Sequence, residues 1–148
     1  MNNRYVEVEV AETKYGVDLA AVQEIVVAGP MTRIPHAPAA VRGLFNLRGK
    51  VIVVIDLASA LGLSPTVAND HSVVLVLASP NGDAPTTGLL LDAVVDIVNV
   101  PPEKRRAAPA SCATTNAAVA EVAEVGGALV LLLDVPELLS FQRSSPLP

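Results

Sequence analysis

Polar and apolar residues alternate from the start of the chain. Tyr5-Val6-Glu7-Val8-Glu9-Val10 places every Val on one face of an extended segment and both Glu on the other, the pattern of an antiparallel strand buried on one side. Thr13-Lys14-Tyr15-Gly16 reads as a turn, with Val17 to Leu19 returning as the hairpin partner. Ala20 to Val26 is ambiguous, with one short helical turn before a strand as the expected arrangement. Ala28-Gly29-Pro30 breaks the pattern, and Pro35-His36-Ala37-Pro38 admits only an extended or turning path. Val51 to Ile55 is a continuous aliphatic run and predicts a buried strand. Asp56 follows as an N-cap, Leu57, Ala60 and Leu61 have helical spacing, and Gly62 suits the helix stop.

The second half follows the same plan. Ser72 to Ala78 predicts a strand, Ser79 to Asp83 a turn and Thr86 to Leu91 a second strand. A further strand closes at Val98 to Val100 and is ended by Pro101-Pro102. The Ala/Ser/Thr-rich stretch from Ala107 to Ala118 reads as a loop. Val119 to Val125 and Ala128 to Leu133 form a hairpin around Gly126-Gly127, and Asp134 with Glu137 three residues on marks a capped last helix.

The two halves align. Gly16 to Val26 lies without gaps on Gly88 to Val98, and seven of the eleven pairs are identical or exchange one acid for another. Gly49 to Leu57 lies on Gly127 to Val135, each copy having a Gly, then after one residue five consecutive aliphatics, an Asp and another aliphatic. The offsets are 72 and 78 residues. An internal repeat means that each copy is one structural unit. Two copies of four or five short strands with a helical cap predict an all-β protein of two small barrels. The expected organisation is one domain over residues 1–148, with pseudo-repeat halves of about 1–63 and 71–141.

Composition narrows the function. The chain has 148 residues, one domain's worth, and 51 % are apolar, which excludes a disordered chain. There are 24 Val and 5 Ile, but the aromatics are Tyr5, Tyr15, Phe45 and Phe141 alone, in keeping with many short strands. A net charge of −5 and the lack of a stacking platform argue against nucleic acid as a partner. Cys112 is the one cysteine, so there is no intramolecular disulfide and no multi-Cys metal site, as in a reducing compartment. Arg4, Glu7, Glu9, Glu12 and Lys14 leave no apolar signal-peptide region. The longest strongly apolar run, Val125 to Leu133, is nine residues, far short of the ~20 that span a bilayer. The expectation is a soluble cytoplasmic protein without direct membrane insertion.

Catalytic chemistry finds little support. His36, between prolines, and His71, after Asn69-Asp70, read as solvated loop residues. Cys112 lies in the Ala/Ser/Thr loop with no helix start or basic flank to lower its pKa. No His/Cys/Asp/Glu spacing resembles a metal ligand set, and no Gly-rich phosphate loop occurs. The expectation is a protein that is not an enzyme and has no catalytic residues, metal or cofactor. The informative stretch is Arg42-Gly43-Leu44-Phe45-Asn46-Leu47-Arg48-Gly49-Lys50, three cations interleaved with large apolar residues in an acidic chain. It reads either as a hairpin with solvated cations or as the rim of a protein-binding surface.

This stretch, preceded by Glu24-Ile25 and by Ile34-Pro35-His36-Ala37-Pro38 and followed by Val51-Ile52-Val53-Val54-Ile55-Asp56-Leu57, resembles the CheW adaptor family of bacterial chemotaxis. Gly88 to Val98 and Leu131-Leu132-Leu133-Asp134 are similar to that family's second half, so the resemblance covers about residues 4–141. It implies two five-stranded SH3-like barrels and a non-enzymatic scaffold. Such scaffolds couple the cytoplasmic tip of chemoreceptors to the regulatory domain of a CheA-type histidine kinase, at membrane-associated receptor arrays. It also implies that Glu24 and Arg48 lie close together, that Gly43, Asn46 and Gly49 shape the turn, and that Val22, Val26 and Leu44 line an apolar inter-barrel groove for a receptor helix. Two departures stand out. Val53 replaces a usual Pro, and Lys104-Arg105-Arg106 forms a basic run expected either to be solvated or to meet an acidic partner. The chain stops at Pro148 without an Asp-rich phosphoacceptor segment, which favours a stand-alone adaptor over related multidomain proteins. The alternative from residue chemistry alone is a small-ligand sensor with a Val- and Ala-lined barrel cavity.

Overall fold

The computed structural model describes residues 3–67, 72–79, 87–107 and 118–139. The strands are β1 (Arg4–Val10), β2 (Thr13–Asp18), β3 (Val22–Val27), β4 (Val41–Leu47), β5 (Lys50–Asp56), β6 (Val73–Leu77), β7 (Thr87–Leu91), β8 (Ala93–Asn99), β9 (Arg105–Ala107), β10 (Val119–Val125) and β11 (Ala128–Leu133). Helices α1 (Leu57–Ala60) and α2 (Val135–Leu138) are single turns. The turn expected at Ser79 to Asp83 lies largely outside the described residues, as do His71, Cys112 and most of the Ala107 to Ala118 loop.

Two local readings are corrected. The first hairpin turns at Ala11-Glu12, both at positive φ (51° and 66°), and Val10 pairs with Thr13. This is the two-residue geometry whose twist matches the strands, so Thr13 to Gly16 belongs to β2. Gly16 instead makes room for a neighbour, since a Cβ there would lie 2.7 Å from Leu132 Cδ2. Second, β1 is buried on both faces. It lies between β8 and β2, and Tyr5 and Glu7 on its second face are each under a tenth exposed. The Glu7 carboxylate lies 3.6 Å from Lys14 Nζ on the neighbouring strand. Between β2 and β3, the ambiguous segment is a 3-10 turn at Leu19–Ala21, opened by Asp18, whose side chain accepts from the Ala20 N–H at 2.9 Å.

The strands form a five-stranded sheet in the order β3-β6-β7-β5-β4 and a six-stranded sheet in the order β8-β1-β2-β11-β10-β9. Each sheet draws on both halves of the sequence. The repeat explains how: β3 corresponds to β8, β6 to β1, β7 to β2, β5 to β11 and β4 to β10, so the first five strands of both sheets run in the same order. The registers agree residue for residue. Val54 pairs in parallel with Gly88, and its counterpart Leu132 pairs in parallel with Gly16. The register slips at Gln23 in β3 and at its counterpart Val95 in β8. It slips again at Arg42 in β4 and at position 120 in β10. The sixth strand β9 pairs Arg106 with Val122; in the first sheet that role falls to a bridge between Thr32 and Leu44, the counterpart of Val122.

Alternation in the strands sorts the core into three clusters. Ile52, Val54, Val74, Val76 and Leu90 join Phe45 and Leu47 inside the first barrel. Tyr5, Ala123, Val130 and Leu132 fill the second. The intervening positions, Leu75, Leu77, Leu89 and Ile55 from one sheet and Val6, Val8, Val10 and Val17 from the other, form the largest cluster between the two. Both sheets are therefore buried on two faces, which is why their strands read as near-continuous aliphatic runs.

Each half ends β5 or β11 with an Asp that caps a helical turn, but the two differ. Asp134 Oδ1 accepts from the Glu137 N–H at 3.1 Å and the residue is exposed. Asp56 is fully buried: it accepts from the Ala58 N–H (3.1 Å) and the Thr66 N–H (2.9 Å), and lies 3.5 Å from Arg42 Nη1. The same Arg42 nitrogen donates to the Thr66 carbonyl at 2.7 Å. Asp56 thereby pins the segment leaving α1 back onto the β4 bulge.

Two sets of substitutions check these points by urea denaturation. Gly88→Ala is expected to cost about 1–3 kcal/mol, because its Cβ would lie 2.6 Å from Val74 Cγ1 on a stiff β-branched side chain. Gly16→Ala should cost less, since Leu132 Cδ2 is the end of a more adaptable side chain. Asp56→Ala is expected to cost about 3 kcal/mol, because it strips buried donors of their acceptor, whereas Asp134→Ala should cost about 1 kcal/mol as a lost cap.

Candidate protein-binding site

In the first barrel β3 and β4 are the two edge strands of the sheet, and the chain brings them together. After β3 the backbone turns, and Thr32 exchanges two hydrogen bonds with Leu44, at 2.8 and 2.7 Å. Gly43 makes this approach possible: its φ is +150°, and a Cβ would stand 2.5 Å from the Thr32 carbonyl oxygen. Gly43 thus serves the strand seam and not the hairpin turn. The turn is Arg48-Gly49, with φ of 50° and 87°, and the Asn46 side chain accepts from the Gly49 N–H at 2.9 Å.

Arg48 and Glu24 meet across this seam. Arg48 Nη2 donates to Glu24 Oε1 at 2.5 Å, with Arg48 exposed and Glu24 partly covered. The hydrogen bond from Arg48, with its charge, holds the Glu24 carboxyl below the usual glutamate range, and Glu24 in turn raises the guanidinium. The pair is therefore formed throughout the neutral range. Its setting is unusual in backbone terms, since a side-chain-bearing residue at positive φ is disfavoured. The equivalent position in the second barrel is Gly126, also at positive φ.

The three aliphatic candidates do not share a face. Val22 packs against the cluster between the barrels, Val26 packs into the first barrel with Phe45 and Ile52, and Leu44 is half-buried on β4 beside Val53. Large apolar residues exposed in the two strands next to the pair are Ile25 and Val27 on β3 and Val51 on β5, at 43 %, 68 % and 61 %, while Leu63, Val67, Val95, Ile97 and Leu129 are exposed elsewhere. The alternation in Val22 to Val27 carries a signal for the first two: no polar residue occupies the outward positions after Gln23. Val51 has an exposed counterpart in Leu129.

Lys104-Arg105-Arg106 splits into different roles. Arg105 is structural: its guanidinium donates to the Val100 carbonyl (3.0 and 2.9 Å) and to Asn3 Oδ1 (2.9 Å), and lies 5.3 Å from the centre of the Tyr5 ring. Lys104 and Arg106 are exposed beside an open cleft of about 320 Å³ that also borders Glu103, Glu124 and Leu129. Among the described residues no group of three His, Cys, Asp or Glu is placed to hold a metal ion, and no helix is long and apolar enough to cross a membrane.

Comparison with known proteins agrees with this architecture. The chain is 30 % identical over 131 residues to the chemotaxis protein CheW of Klebsiella aerogenes, a match that covers 88 % of this chain and 77 % of that protein. It is 37 % identical over 94 residues to a probable chemotaxis protein CheW of Rhizobium etli, covering 64 % of this chain and 59 % of that one. The crystal structure of the scaffolding protein TtCheW from Thermoanaerobacter tengcongensis superimposes with a TM-score of 0.78 at 28 % identity, over 91 % of this chain and 86 % of that one. Residues 4–143 match the CheW-like domain, and with two barrels built from exchanged strands and the Glu24–Arg48 pair across the first, the chain belongs to the CheW-like domain family.

Proposed function

We propose that this chain is a cytoplasmic, non-enzymatic adaptor that couples chemoreceptors to a CheA-type histidine kinase in chemotaxis signalling. The family and its relatives, a scaffolding protein among them, support this reading. The observation that carries it to particular residues is Arg48, kept at a left-handed turn position and aimed at Glu24 beside exposed Ile25, Val27 and Val51. A two-residue hairpin turn calls for positive φ whatever residue fills it, and glycine takes that φ at least cost, so an Arg at this place speaks for a use of its side chain. Here the second barrel makes the same turn with Gly126-Gly127.

In this reading Glu24 and Arg48 fix the shape and charge of the rim. Ile25, Val27 and Val51 give a partner apolar area to bury, with Asn46 and Gly49 holding the turn that presents Arg48. Val22 and Leu44 support the groove side of the same barrel, and Val26 and Gly43 act from inside it and along its seam. Apolar anchors within a polar rim are the usual anatomy of such contacts.

Calorimetry with the regulatory domain of a CheA-type kinase and, separately, with a receptor-tip fragment tests the proposal. Micromolar or tighter binding to the kinase domain is expected, and Val27→Ser or Arg48→Ala should weaken binding to at least one of the two partners about tenfold while leaving the thermal midpoint nearly unchanged. Absence of binding to both by the folded protein would defeat it. An independent check concerns pH. Because Glu24 is depressed, the pair persists above the ordinary glutamate range and is lost as pH falls through the lowered value. Carboxyl-detected NMR should show Glu24 titrating below the ordinary glutamate range, and Arg48→Met should bring it back up.

A further inference from the structure

The basic residues are unevenly placed. Between Glu24 and Asp56 the sequence has no acidic residue but carries Arg33, His36, Arg42, Arg48 and Lys50, within a chain of net charge −5. Arg48 is matched by Glu24 and one nitrogen of Arg42 by Asp56. Apart from Lys50 at the start of β5, the others gather at the β3–β4 connection, where Arg33, His36 and Arg42 border a cleft of about 400 Å³ with Ile34, Pro38 and Val41. None of the described residues lining it is acidic.

We propose that this cleft is an acceptor site for a carboxylate side chain presented by an acidic segment of a protein partner. The chemistry follows from three observations. First, both hydrogen bonds of Arg42 to the protein use Nη1, and the side chain remains 30 % exposed. Its Nε and Nη2 form the side-on edge of the guanidinium, which fits two carboxylate oxygens, and among the described residues that edge has no partner. Second, Arg33 and His36 are exposed on the same cleft, and Arg33 makes no ion pair among the described residues. Third, the backbone has little to offer a phosphate. Phosphate sites are built from converging N–H groups, whereas Pro35 and Pro38 have none and the Ala37 and Val41 N–H groups point back to Ile34 and Pro38 carbonyls. Side-chain cations beside half-buried Ile34 and Val41 suit a glutamate or aspartate flanked by apolar residues. The site stands on its own residues and does not depend on the identity of the kinase or receptor.

The test uses the full ¹⁵N-labelled chain and a defined probe, the peptide acetyl-Leu-Glu-Leu-Glu-Leu-amide, with inorganic phosphate as the second arm at matched ionic strength. Saturable shift changes are expected in the amides from Arg33 to Arg42 and in the Arg42 side-chain Nε–H. Arg33→Ala combined with His36→Asn should weaken binding about fivefold; Asn is chosen because position 36 sits at φ 61°, which Asn tolerates. Lys104→Ala with Arg106→Ala should leave it unchanged, and both variants should keep the dispersed spectrum of the folded chain. Shifts that do not saturate, equal loss in the two double variants, or phosphate binding as well as the peptide would each overturn the proposal.

Discussion

The parallel pairing of β5 on β7, and of its counterpart β11 on β2, is the constraint on which the rest of the molecule depends. A parallel neighbour cannot come from a tight hairpin, so each barrel completes its sheet with strands from the other half of the sequence. Neither half closes a sheet alone. At both crossings the paired residue is a glycine, Gly88 under Val74 and Gly16 under Leu132, where a Cβ would come within 2.6 and 2.7 Å of its neighbour. The exchange also places alternate residues of β6 and β7 against those of β1 and β2 in one shared core. Burial of apolar area between the sheets is then inseparable from formation of each sheet.

Within that common frame the halves have diverged in compensating ways. Phe45 fills the first barrel where the second has Ala123, and Val74 stands where the second has Tyr5. The large ring has moved to the opposite wall, which keeps the interior filled, as close packing requires. Tyr5 brings a polar end with it, and Arg105 on β9 covers its ring while tying the preceding Val100 carbonyl to the N-terminal strand. The basic run that departs from the family pattern is, in its central residue, part of the packing of the second barrel.

The sequence alone made most of the strands legible, though not which of them share a sheet, because strand burial on two faces leaves long aliphatic runs and the repeat showed which runs correspond. The Gly126-Gly127 hairpin, the Asp56 and Asp134 caps and the short turn before β3 follow from local chemistry of the same kind. What the sequence concealed was pairing at a distance. The Ala11-Glu12 turn has no Gly to mark it, whereas Gly16, which resembles a turn residue, owes its small size to Leu132, far along the chain. Asp56 shows its capping role in sequence but not its contacts with Thr66 and Arg42. In the site, the motif brought out Glu24, Asn46, Arg48 and Gly49. It did not separate Val26, which faces inward, from Val22, because the register slip at Gln23 turns the residues on either side of it to different clusters.

The repeat also separates what the site needs from what the fold needs. Gly126-Gly127 closes the same two-residue turn as Arg48-Gly49, so the turn folds without a cation and is easier to form with glycine. Position 96, the counterpart of Glu24, is also acidic, yet Asp96 accepts from the neighbouring Ile97 N–H, and the turn that corresponds to Arg48-Gly49 is Gly126-Gly127, with no cation. An acid at this place is therefore compatible with the barrel whether or not an Arg opposes it. Arg48 is the added element in the first half, at positive φ and paired with Glu24 across the seam between β3 and β4. Its exposure limits what the pair contributes to stability, because solvent screens it. The same exposure leaves the guanidinium and the apolar residues around it open to solvent, at a turn whose positive φ the β4–β5 hairpin itself requires.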